Sequence, residues 1–300
     1  MQQSIEETIG SPLVEVDGPS GATVAAKVEA ANPGGSAKDR PARAMIAAAE
    51  ADGEIESGDR LVEATSGNTG IGLALVSAAR GYDLTIVMPE GMSAERRRVM
   101  AAYGADIELV DGDVGDANDR AEAIARESGA HRISQFSNPA NPAAHYRTTG
   151  PEIESQVGDR TVDAFVAGVG TGGTISGTGR YLRETVPGIS IVAVEPDSNP
   201  FVSRGAPAPD DFQGMGPSFV PETVDREVID DVEGVGLAAA EEESRRLARE
   251  EGILVGQSSG AASVAARRVA RRVAETRTDP LVVTLFPDTG ERYLSTGLFD

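Results

Sequence analysis

The sequence predicts an α/β protein built on mostly parallel sheets. Three observations carry that prediction: short β-rich runs alternate with Ala-rich helical stretches, several strand candidates are almost continuously apolar, and many helical candidates stop at a glycine. A strand without polar alternation is covered on both faces, as in a parallel sheet wrapped by helices. At 300 residues the chain has room for two domains.

The Val- and Ala-rich run Thr23–Glu29 reads as the first strand, and Ala37–Asp52, apolar at intervals of three and four and closed by Gly53, as the first helix. Arg60–Ala64 leads into the helix Thr69–Arg80, which Gly81 ends. Leu84–Met88 is followed by Ala94–Tyr103 and Gly104, and Asp106–Val110 by Ala117–Ser128 and Gly129. The pattern resumes with Asp163–Ala167, Thr174–Thr185 and Ser190–Val194. Two helices, Leu237–Glu250 and Ser259–Glu275, precede the last strand, Leu281–Phe286. Two stretches break the rhythm. Ser137–Pro151, with three X-Pro turn signals near the middle of the chain, is the expected domain crossing. Pro196–Pro221 is too long for an idle connection and is expected to be a functional loop.

Asp and Glu number 48 against 27 Lys and Arg, a formal charge of −21. Such a charge repels phosphate backbones and anionic headgroups, which argues against nucleic-acid and membrane-surface roles. No long apolar run occurs and Met1–Gly10 lacks a signal-peptide pattern, so a soluble cytoplasmic protein is expected. Without cysteine there is no disulfide or thiolate chemistry, and with only His131 and His145 no metal site is expected. The basic residues are nearly all arginine; Lys27 and Lys38 are the two lysines. This balance fits adaptation to high salt, and equally an ordinary acidic surface. Arginine cannot deprotonate at usable pH, so such a chain should keep a lysine where a neutral, nucleophilic amine is required.

Four segments carry chemistry. In Asn32–Arg40 an Asn-Pro-Gly-Gly turn precedes Ser36, placed to cap a helix with Lys38 in its first turn, where the helix dipole opposes the ammonium form. Lys27, within a strand, reads as structural. In Glu63–Gly70, hydroxyls and backbone N–H groups between strand and helix form a cup for a carboxylate or phosphate, although many strand-to-helix turns share this composition. Gly168–Thr174 is a glycine run that suits one small phosphate better than a dinucleotide or nucleoside triphosphate; a tight turn without a ligand is the alternative. Gly256–Ala262 places Ser258 and Ser259 at a helix start, where alone they read as a cap. Taken together, a reactive lysine, a carboxylate cup, a phosphate loop and a hydroxyl cap make a pocket for pyridoxal phosphate and an amino acid.

In these segments, and in Gln135–Pro142, Thr148–Ile153 and Gly290–Ser295, the chain resembles the cysteine synthase (O-acetylserine sulfhydrylase) family. This is part of the tryptophan-synthase-β-like, fold type II, group of pyridoxal-phosphate enzymes, and Met92–Arg97 and Pro287–Arg292 lean toward the B isoform. The resemblance implies two open, mostly parallel twisted sheets flanked by helices, with the cofactor in the cleft between domains. It places a smaller, substrate-closing domain at 35–141 and a larger, phosphate-binding domain at 1–34 plus 142–300. Lys38 would join the cofactor as a Schiff base. Thr65, Ser66, Gly67, Asn68 and Thr69 would hold the substrate carboxylate, with Gln135 as a further ligand, and Asn68 would also bond the cofactor's ring hydroxyl. Gly170, Thr171, Gly172, Gly173 and Thr174 would bind the phosphate, and Ser258 the pyridine nitrogen.

The implied reaction is β-replacement, making L-cysteine from O-acetyl-L-serine and sulfide through an α-aminoacrylate intermediate. Cystathionine β-synthase or O-phosphoserine sulfhydrylase activity is the alternative on the same scaffold. A phosphoserine donor would want a basic residue in Pro196–Pro221, where Arg204 stands but Gln213–Gly216 fills the end. Serine or threonine dehydratases carry histidine where this chain has Thr69, and a non-enzymatic binding module would not need Lys38. The resemblance also implies a homodimer and serine acetyltransferase as a partner.

Overall fold

The alternating strands and helices form as expected in a computed structural model that describes residues 1–300. The chain divides into two units, Met1–Ile9 with Asn32–Asn141, and Gly10–Ala31 with Pro142–Asp300.

Strands β1 (Leu13–Val16) and β2 (Thr23–Val28) pair antiparallel in the second unit. The first unit then runs α1 (Asp39–Ala51), β3 (Arg60–Ala64), α2 (Asn68–Arg80), β4 (Asp83–Pro89), α3 (Ala94–Ala102), β5 (Asp106–Val110), α4 (Val114–Ser128) and β6 (His131–Arg132). Its sheet has the order β5-β4-β3-β6, every pair parallel. Side-chain alternation splits the two faces. Leu61, Ile86 and Met88 face Met45, Ile46, Ile71 and Leu73, while Val62, Ala64 and Val87 face Ala117 and Ala121 of α4. Met1–Ile9 joins this unit through Glu6, which takes a two-pronged pair from Arg80 at 3.0 and 2.6 Å.

The second unit continues with α5 (Ala140–Arg147), α6 (Thr149–Gln156), β7 (Val162–Gly168), α7 (Gly173–Thr185), β8 (Ser190–Pro196), β9 (Asp231–Val235), α8 (Leu237–Glu250), α9 (Gln257–Ala274) and β10 (Leu281–Phe286). Its six strands run β1-β2-β10-β7-β8-β9, parallel except at β1. Val24, Val166, Val192 and Val282 pack under Leu247, Ala265 and Val269, and on the other face Phe165, Ile191 and Val283 pack under Ile153, Ile175 and Leu182. Burying each large apolar side chain contributes about 1.5–3 kcal/mol.

Several elements differ from the sequence reading. Ser137–Pro151 contains two short helices because Pro142 and Pro151 fall in their first turns, where no N–H is needed. The strands β1, β6 and β9 were not expected: all three are sheet edges, β1 and β9 of four and five residues, and β6 of only two. α4 begins three residues early, closed by a reciprocal capping box between Asp113 and Asp116.

Lys27 is fully buried on β2, ion-paired with Glu152 at 2.6 Å and donating to the Ser11 carbonyl. Gln156 donates to the same carbonyl at 2.9 Å, and Ser11 Oγ donates to Glu29 at 2.6 Å. Lys27 thereby ties β2 to α6.

Candidate active site

The first unit assembles Lys38, the Thr65–Thr69 turn and Gln135. The Asn32–Gly35 turn is drawn in by Asp39, whose carboxylate accepts the Gly34 N–H at 2.5 Å. Ser36 Oγ accepts the Lys38 N–H at 3.2 Å. Helix α1 starts at Asp39, so Lys38 is its cap residue, one position ahead of the first turn expected from the sequence. Its backbone still stands at the positive end of the helix. α2 passes close to it because Gly72 has no side chain: a Cβ there would lie 2.8 Å from the Lys38 carbonyl oxygen. That approach sets the lysine's backbone against the helix that begins at the cup.

The cup lies between β3 and α2. Thr65 Oγ1 accepts the Gly67 N–H at 3.2 Å, and α2 begins at Asn68 with Gly67 as its cap and no acidic residue in its first turn. Gly70 allows Met100 and Thr65 to close over this turn; a Cβ there would meet Met100 Sδ at 2.6 Å. Thr69 Oγ1 donates to Gln135 Oε1 at 2.6 Å, so two residues 66 positions apart meet side by side, both buried. Asn141 Nδ2 holds the Gln135 carbonyl at 2.9 Å. Ser66 lies half-buried in the same turn.

Glu63, in the cup segment but assigned no part from sequence, is buried at the end of β3 and accepts the Ser134 N–H at 2.7 Å and the Gln135 N–H at 3.4 Å. Burial pushes its carboxyl up from 4.5 to about 7, opposed by those N–H bonds, by Arg132 and by a hydrogen bond with the Gln135 side chain.

The second unit assembles the glycine run and Ser258. After β7, Val169–Gly172 turns into α7, and Gly172 caps it at φ +89° with no side-chain cap bond and no acidic residue in the first turn. A Cβ on Gly172 would fall 2.4 Å from Val224 Cγ2, and one on Gly170 2.7 Å from the Gly214 carbonyl oxygen. Thr223 Oγ1 donates to the Thr171 carbonyl, and the Gly216 N–H reaches the Val169 carbonyl at 3.1 Å. The long 197–230 connection therefore braces the glycine run. Its own shape is kept by buried Asn199, which donates to Asp210 and Gly216 at 2.8 and 2.9 Å; Arg204 is exposed on it. Thr174 Oγ1 lies 3.3 Å from His145 Nε2, and His145 Nδ1 lies 2.9 Å from Thr149 Oγ1.

Ser258, buried in the first turn of α9, stands beside this loop: a Cβ on Gly214 would be 3.8 Å from its Oγ. Ser259 is fully buried and its Oγ has no hydrogen-bond partner.

The glycine run is thus a turn in which Gly170 and Gly172 have no room for a side chain, at the amide end of a 13-residue helix, the kind of place that receives a phosphate. The family pattern described as "Pyridoxal-phosphate dependent enzyme" matches residues 6–288. The chain belongs to this family.

Among pyridoxal-phosphate-dependent enzymes, a cysteine synthase of Staphylococcus aureus is 50% identical over 295 residues, covering 97% of this chain and 94% of the relative. The crystal structure of O-ureido-L-serine synthase matches with a TM-score of 0.96 at 44% identity, over 100% of this chain and 96% of that one. The cysteine synthase structure from Entamoeba histolytica matches with a TM-score of 0.95 at 36% identity, over 100% of this chain and 91% of that one. The residues present fit the family's cofactor: a glycine-rich turn at a helix N-terminus suits a phosphate, a lysine at a helix start suits an aldehyde, and a buried neutral serine stands beside the glycine turn. No helix is long and apolar enough to cross a membrane.

Proposed function

We propose that the chain is a cysteine synthase, converting O-acetyl-L-serine and sulfide to L-cysteine and acetate. The observation that carries this reading is the close approach of the Lys38 backbone to α2, which brings an amine and a carboxylate cup into one unit. The 50% identity to a cysteine synthase supports the choice of reaction.

Bound pyridoxal phosphate supplies an aldehyde that condenses with amines and a ring that withdraws electrons from the substrate α-carbon. The Asn32–Asn141 unit contributes Lys38, the cup and Gln135. The Pro142–Asp300 unit contributes Gly170–Thr174 for the phosphate and Ser258 for the pyridine nitrogen. Amides and hydroxyls of Thr65–Thr69, with Gln135, hold the substrate carboxylate, and Asn68 also donates to the ring hydroxyl. Lys38 Nζ, as a neutral amine, would take the substrate α-proton. Acetate then leaves the β-carbon and sulfide takes its place. Ser258 would meet the pyridine nitrogen with an uncharged hydroxyl.

The same reading extends to a cytoplasmic homodimer with serine acetyltransferase as a partner, supported by the family resemblance. It extends also to a surface kept acidic for high salt, supported by the charge of −21. The deciding experiment is a substrate panel on purified protein. O-acetylserine with sulfide should give cysteine, and Lys38→Ala should abolish it while folding normally. Turnover of serine with homocysteine, or of phosphoserine with sulfide, in place of O-acetylserine would assign the chain to the alternative activities.

A further inference from the structure

We infer that Glu63 is a positioning residue for the substrate carboxylate, holding the Ser134–Gln135 turn so that the Gln135 side chain is kept in place against Thr69. The inference rests on the reading of Gln135 as a carboxylate ligand.

Three observations converge on it. Ser134 has φ +59°, one of only two non-glycine residues in the chain with positive φ, so the turn ahead of Gln135 is one that a free chain disfavours. Glu63 grips that turn, accepting the N–H groups of both Ser134 and Gln135, while Asn141 holds the Gln135 carbonyl at 2.9 Å. Thr69 donates its hydroxyl proton to Gln135 Oε1 at 2.6 Å, which fixes the oxygen end of the amide and leaves the Nε2 hydrogens to donate. An amide flipped the other way would offer an oxygen to the substrate carboxylate and repel it. Glu63, by fixing the backbone from which Gln135 reaches, keeps Oε1 within reach of Thr69.

The test is a double-mutant cycle on the holoenzyme with Glu63→Gln, Gln135→Ala and the pair, reading KM for O-acetylserine, kcat and cofactor affinity. Each oxygen of Glu63 takes one backbone N–H, and glutamine at 63 has a single acceptor oxygen, so it cannot hold both. Glu63→Gln should raise KM about three- to tenfold, the range of one neutral hydrogen bond, with kcat and cofactor affinity within twofold. Gln135→Ala should raise KM by about tenfold or more, and adding Glu63→Gln to it should change nothing further. If Glu63→Gln leaves KM unchanged, or raises it equally in both backgrounds, Glu63 does not act through Gln135 and the proposal falls. If Gln135→Ala alone leaves KM unchanged, the carboxylate reading itself fails. Should Glu63→Gln not fold, Ser134→Gly decides: with Glu63 intact, KM should stay within twofold. A several-fold rise would mean that the backbone of residue 134 holds Gln135 without Glu63, and would overturn the proposal.

Discussion

Lys27→Met should destabilise the second unit without touching the chemistry. Lys27 has no exposed surface, and its ammonium lies 2.6 Å from Glu152, whose side chain keeps 26% of its surface in solvent. Stranding the partner of a buried pair costs about 3–5 kcal/mol. Glu152 regains part of its hydration, and the Ser11 carbonyl keeps its bond from Gln156, so the loss should fall just below that range, about 2–3 kcal/mol. For domains of this size that lowers Tm by about 4–12 °C, measured by calorimetry on the cofactor-loaded protein. Lys27→Met with Glu152→Gln removes the Glu152 charge as well and should recover part of the loss. Lys27→Arg should also destabilise, because the slot between β2 and α6 encloses an ammonium and not a planar guanidinium. Cofactor content per folded molecule should not change in any of these variants. An unchanged Tm in Lys27→Met, or losses that simply add in the double variant, would refute the reasoning.

Glu63 is the acid with the clearest stability signature: between pH 4.5 and about 7 the folded chain keeps a proton that the unfolded chain releases. Its contribution is complete below pH 4.5 and is lost as pH rises through about 7, on the order of 3 kcal/mol, and Glu63→Gln should flatten that fall in urea titrations across the range. Gly172→Ala should cost about 1–3 kcal/mol, since it forces a side chain to φ +89° against Val224, and should weaken binding of the cofactor phosphate, read by equilibrium dialysis. His145→Ala removes the group bonded to the Thr174 hydroxyl and should speed cofactor loss on dilution by up to about tenfold; an unchanged rate would leave His145 a packing residue.

Most of the candidate site was legible because its segments are local. Lys38 after an Asn-Pro-Gly-Gly turn, Thr65–Thr69 between strand and helix, and Gly170–Thr174 before a helix each sit where a short run of sequence sets the backbone. Glu63 was not legible as a positioning group, because its partners Ser134 and Gln135 lie 71 and 72 residues away and meet it only when β3 and β6 pair. Nor was the His145 link to Thr174, which joins α5 to α7. The scarcity of lysine singled out Lys38 as a candidate for a neutral, nucleophilic amine, while Lys27 read as structural from its place in a strand. Lys38 fits that explanation by its place at a helix start. Lys27 is kept by a closed slot and an ion pair, which composition does not reveal.

The sequence by itself determined the alternation of strands and helices, the parallel character of the sheets and the places where turns expose backbone amides. Hydrophobic period, glycine stops and capping residues act over a few positions, so they are written in adjacent letters. Only the tertiary structure decided which short edge strands join the sheets, that two prolines sit in the first turns of helices, and which buried acids and amides face one another. Those outcomes depend on burial and on pairing between residues far apart in the chain, where the cost of an unpartnered charge or hydrogen bond is set by the assembled surroundings.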